Sequence, residues 1–157
     1  MTANGSSEPA ARPQVPSRAE AAIARLQTER SATLRLLLRL PDSECSRPVT
    51  WWGREQRVNQ RLRAFTGHAL DHYQHLIRLL QARGRQLTEA QLLLMKANAA
   101  LAEFEAMVLA LSDEEFLADG PVEGDWSAAQ VVEHVIEKER EYRENIAGAL
   151  AGPAPGS

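Results

Sequence analysis

Four stretches of the chain repeat apolar residues at steps of three and four, the period that lines one face of an α-helix. The first runs from about Arg18 to Leu40 and aligns Ile23, Leu26, Leu34, Leu37 and Leu40. Ser17 stands where an N-cap is expected, and Pro41 stops the pattern. The second runs from about Trp52 to Arg83, with Val58, Leu62, Phe65, Ala69, Tyr73, Leu76 and Leu80 as its stripe; Gly84 follows it as a C′ glycine would. The third begins after Thr88, with Gln91 placed to complete a capping box, and lines up Leu94, Ala97, Leu101, Phe104, Val108 and Leu111. The fourth starts near Ser127 and ends before Gly152, with Val132, Val135, Ile136, Tyr142, Ile146 and Leu150. Pro41–Thr50 reads as a connection, and Ser112 and Asp113 open a loop that contains Gly120, Pro121 and Gly124. No sustained period-two run signals a strand. Four amphipathic helices predict an all-α four-helix bundle.

The pattern also falls into two halves, each helix, loop, helix. The joining segments are "LRLPDSECSRPVTWW" and "LALSDEEFLADGPVEGDW". Each follows a Leu, carries acidic residues and a Pro-Val, and ends on tryptophan: Trp51 and Trp52, or Trp126. Two pseudo-symmetric helix-loop-helix halves are the natural reading. The bundle spans 18–151. Residues 1–17 and 152–157 are Gly-, Pro-, Ala- and Ser-rich and are expected to be disordered tails.

Composition narrows the function classes. Hydrophobic residues make up 44% of the chain, enough for one core, and aromatics only 5%, so the core is aliphatic. The formal charge of −3 lacks the broad basic footprint of a nucleic-acid binder; Arg54, Arg57, Arg61 and Arg63 form a local patch, read as a solvated face. No apolar run approaches the roughly 20 residues of a membrane span, and the N-terminus has no apolar signal core. A cytoplasmic location is expected. Cys45 is the one cysteine. It cannot form an internal disulfide, and with no histidine near it in the sequence it reads as a passive thiol.

All four histidines lie on the two helices that follow the loops: His68, His72 and His75 on one, His134 on the other. Spacings of four and seven stack the first three along one side of their helix. An i, i+4 pair can chelate one metal ion, and a third imidazole from a facing helix would complete a three-ligand site open to water or substrate. His134 is the available candidate. In a pseudo-twofold bundle His68, His72 and His134 occupy equivalent flanks that face one cleft. The same spacing also suits half-solvated flank residues. His75, a further turn along, orients substrate or is solvated. Asp71 and Glu137 are placed to orient a ligand imidazole. No histidine has a Glu three residues before it, so a ferritin-like di-iron site is set aside. Trp126 plugs the bundle end or walls the cleft mouth.

Two of these segments resemble motifs of the DinB/YfiT-like superfamily. "GDWSAAQVVEHVIEKEREY", Gly124–Tyr142, is similar to that family's second-helix motif: a Trp-Ser helix start, a histidine, then an acidic-aromatic run. "GHALDHYQHLIRLLQARG", Gly67–Gly84, is similar to its fourth-helix HxxxH motif. The order of the halves is swapped in this chain, which a twofold-symmetric bundle tolerates. His75 stands where the family often has Gln. The resemblance implies a metal-binding four-helix bundle, often a homodimer. It implies zinc or nickel, with iron as a further candidate, held by the residues that match here: His134, His68 and His72. It also implies thiol-dependent S-transfer to a small-molecule substrate, with a low-molecular-weight thiol as cosubstrate, favoured over hydrolysis. The competing expectation is a non-catalytic bundle, stress-related or dimerising, whose histidine site is empty or structural.

Overall fold

The computed structural model describes residues 16–152, and the expectations of disorder for 1–15 and 153–157 lie outside the described residues. The chain is predominantly helical. Its elements are α1 (Arg18–Leu37), α2 (Asp42–Cys45), β1 (Pro48–Trp51), β2 (Arg54–Arg57), α3 (Val58–Ala82), α4 (Glu89–Ala110), α5 (Asp113–Leu117) and α6 (Ala128–Ala151). The four long helices sit where the apolar period puts them. Residues up to Leu37 form one compact unit and residues from Leu38 a second.

The first unit contains α1. Ser17 caps it as expected: its Oγ accepts from the Glu20 N–H, and the Glu20 carboxylate accepts from the Ser17 N–H. That backbone hydrogen bond holds the Glu20 carboxyl below the ordinary carboxylate range. The helix ends three residues before the expected Leu40, because the residue preceding a proline avoids helical backbone and the turn before Pro41 unwinds.

The second unit corrects the sequence reading in both of its connections. The segment expected to be connection and helix start is a β-hairpin. β1 and β2 pair antiparallel, from Pro48 opposite Arg57 to Trp51 opposite Arg54. Trp52 and Gly53 make the two-residue turn with φ of 48° and 73°. Both angles are positive, as a type I′ hairpin turn requires. A tryptophan in this left-handed region costs about 1–2 kcal/mol. Arg61, one turn into α3, lies over the Trp51 ring at 4.1 Å, and Trp51 and Trp52 stack at 5.7 Å. The hairpin thus rests on the start of α3, which begins at Val58 rather than Trp52.

The second connection also contains an element the sequence reading left as loop. Ser112 and Glu115 form a reciprocal capping box that opens α5. The Ser112 N–H on its carboxylate lowers the Glu115 pKa. Because the folded value is depressed, this cap holds above the ordinary carboxylate range and is lost as pH falls through the lowered value. Both connections carry a short helix, but only the first continues into a hairpin. The likeness of the two halves ends there.

The C-terminal half of α4 and the N-terminal half of α6 share one open groove. Leu101, Phe104, Val132, Val135 and Ile136 line the groove between them. Away from that end the stripes are open: Leu94 is 69% exposed and Ile146 61%. The α3 stripe behaves alike, half-buried at Val58, Leu62 and Leu80 and exposed at Phe65, Tyr73 and Leu76. Among the described residues no hydrophobic side chain is fully buried, and the one buried side chain is Ser127. It caps α6, accepting from the Gln130 N–H while the Gln130 amide oxygen accepts from the Ser127 N–H. Replacing Ser127 with Ala removes this cap. The expected loss is about 1 kcal/mol of stability, read as a lower urea midpoint with an unchanged slope.

Candidate metal centre

α3 carries His68, His72 and His75 in its middle, exposed to solvent. The i, i+4 spacing turns the first two rings toward each other. Their Nε2 atoms are 3.1 Å apart, and the rings meet edge to face at 4.4 Å and 83°. One ring donates its Nε2–H to the Nε2 of the other. Two nitrogens each about 2.0–2.1 Å from one ion at a near-tetrahedral angle stand roughly 3.3 Å apart. The pair therefore needs an adjustment of only a few tenths of an ångström to chelate a single cation. His75 takes a different place: its ring stacks on His72 at 6.5 Å between centroids and 25°, and it has no hydrogen bond to the pair.

His134 sits in the second turn of α6. It packs edge to face against Trp126, at 4.8 Å and 64°, and is half-buried. The Ser127 cap fixes this contact, because it sets the entry of the chain into α6 directly after Trp126. Trp126, Gln130, Glu133, His134, Glu137 and Arg140 line one open groove of about 680 Å³. Trp126 lines that groove, which does not include His68 or His72. Glu137 shares the groove with His134; the His68 and His72 rings are hydrogen-bonded to each other rather than oriented by Asp71. The structure thus brings His68 and His72 together and holds His134 apart from them: among the described residues no three potential ligands converge.

Cys45 ends α2 and is half-buried. No helix among the described residues is long and apolar enough to cross a membrane. Sequence reasoning missed the Trp52 turn, for which the Trp-Gly dipeptide between two short runs was the available signal, and read Arg61 as part of a solvated face, whereas it is half-buried over the Trp51 ring. No family model, curated protein or solved structure matches the chain.

Proposed function

We propose that the chain is a divalent-metal-binding helical-bundle protein of DinB-like type, with His68, His72 and His134 as its ligands. One observation carries this reading: the 3.1 Å approach of the His68 and His72 Nε2 atoms, within a few tenths of an ångström of the separation that two imidazoles need to share one ion. Three neutral imidazoles suit zinc or nickel, and iron next. As neutral ligands they would leave a bound divalent ion its full 2+ charge, and it would supply Lewis-acid chemistry toward a thiol or a water. The residues present supply the rest. The imidazole pair leaves its outer side open to solvent, and the groove beside His134 offers Trp126 as an apolar wall and Arg140 as a cation for a small substrate. This fits thiol-dependent S-transfer in the cytoplasm, favoured over hydrolysis.

The test is elemental analysis of protein purified without an affinity tag and without chelator. About one zinc, nickel or iron per chain is expected for a site of this ligand count. Absence of metal after reconstitution with each ion overturns the reading and leaves a non-catalytic bundle with solvated histidines.

A further inference from the structure

The hairpin ends in an aromatic tip flanked by arginines, and neither the histidine pair nor the α6 groove uses it. The strand register sets its two faces. Trp51 stands directly opposite Arg54, and the half-buried Val49 and Gln56 lie on the same face. That face meets α3: Arg61 donates to the Gln56 amide oxygen at 3.4 Å and lies over the Trp51 ring. Trp51 is thereby engaged. Trp52 stacks on Trp51 with the two rings 18° from parallel and is 89% exposed. It holds this place at a positive φ of 48°. Backbone strain of this kind clusters where a chain clamps a ligand.

The surroundings are cationic. Residues 54–63 hold four arginines and one acid, Glu55. Arg61 is occupied by Trp51. Arg54, Arg57 and Arg63 are exposed, and neither ion pair among the described residues involves them. The formal charge of −3 is a property of the whole chain; this segment carries the opposite sign. Stacked indoles beside free guanidinium groups offer a π surface in a positive field. A single nucleic-acid strand presents base faces and phosphates to such a surface at once. An anionic lipid surface answers the charge but requires an apolar face to insert. The hairpin's other face carries Pro48, Thr50, Glu55 and Arg57, so the two indoles are all the tip has to insert.

We propose that the hairpin tip binds single-stranded nucleic acid, with a base stacked on Trp52 and the flanking phosphates paired with Arg54, Arg57 and Arg63. Binding is sequence-tolerant, because every base has a π face. A contact with about three phosphates needs only a local basic patch. It is independent of the three-histidine reading.

The test titrates the full-length protein into a fluorescein-labelled strand of about twelve thymidylates, read by anisotropy. At about 50 mM salt the expected dissociation constant is on the order of 10 µM, with a log–log salt slope of about −2. Trp52→Gly suits the turn's backbone, leaves the helical content unchanged and weakens binding by about tenfold, the loss of one stacked base. Wild type binds a strand of abasic sites, with the same phosphates, about tenfold more weakly than the thymidylate strand. Arg54→Gln with Arg63→Gln brings the slope to about −0.7. No anisotropy change up to about 100 µM protein at that salt overturns the proposal. So does binding that Trp52→Gly and the abasic strand leave unchanged, which is attraction to phosphate alone. Co-sedimentation with vesicles of phosphatidylserine and phosphatidylcholine, without binding to the strand, overturns it in favour of an anionic membrane.

Discussion

His72→Ala lowers the affinity for zinc or nickel by about 100-fold or more while leaving the helical content unchanged. Loss of a group that merely orients a metal ligand costs roughly 10–100-fold, and His72 is read as a ligand itself. It is also half of the one pair whose nitrogens already converge. The fold tolerates the change because the His72 side chain is exposed in the middle of α3 and alanine favours helix more than histidine does. Titration calorimetry with the metal, beside far-ultraviolet circular dichroism, reads both halves of the expectation. His75→Ala serves as the contrast: it removes a ring stacked on His72 at 6.5 Å and is expected to change affinity little. Equal metal content in wild type and His72→Ala sinks the assignment.

Gly120→Ala destabilises the second unit by about 1–3 kcal/mol, the usual cost of forcing atoms into filled space. A Cβ at Gly120 meets the Cβ of Asp125 at 2.3 Å and its carbonyl carbon at 2.9 Å. Backbone lies on the far side, so a rotamer change cannot relieve the clash and the loop must open. That loop delivers Trp126 and the Ser127 cap, and through them the position of His134. The variant is therefore expected to melt lower by several degrees, at about 2–4 °C per kcal/mol for a chain of this size. An unchanged melting temperature would mean that Gly120 and Asp125 do not approach in solution.

The helices were legible because their signals are local. Thr88 with Gln91 and Ser127 with Gln130 form the capping boxes that open α4 and α6, and Gly84 has the positive φ of a helix-ending glycine. The hairpin was not legible, because each strand is four residues long and alternation over four residues cannot be told from chance. Its turn also places tryptophan where asparagine or glycine is usual. α5 was missed although Ser112 and Glu115 carry the capping-box spacing; the glycines and proline that follow outweighed it. The His68–His72 approach was legible from spacing alone, since one helix fixes it. The neighbour of His134 was not, because periodicity names the face a residue occupies and says nothing of what meets that face. The same limit applies to the core. The stripes of α3, α4 and α6 were read correctly as apolar, yet among the described residues much of each is exposed: Phe65 and Leu76 on α3, Leu94 on α4, Ile146 on α6.

Cys45, half-buried at the end of α2, is the chain's single thiol, so a nitroxide attached there gives one unpaired electron per molecule. Magnetic dipolar coupling between such labels has no intramolecular source. Any distance recorded by pulsed electron resonance on the labelled natural sequence is a distance between two copies, and a ruler for assembly is already built into the polypeptide.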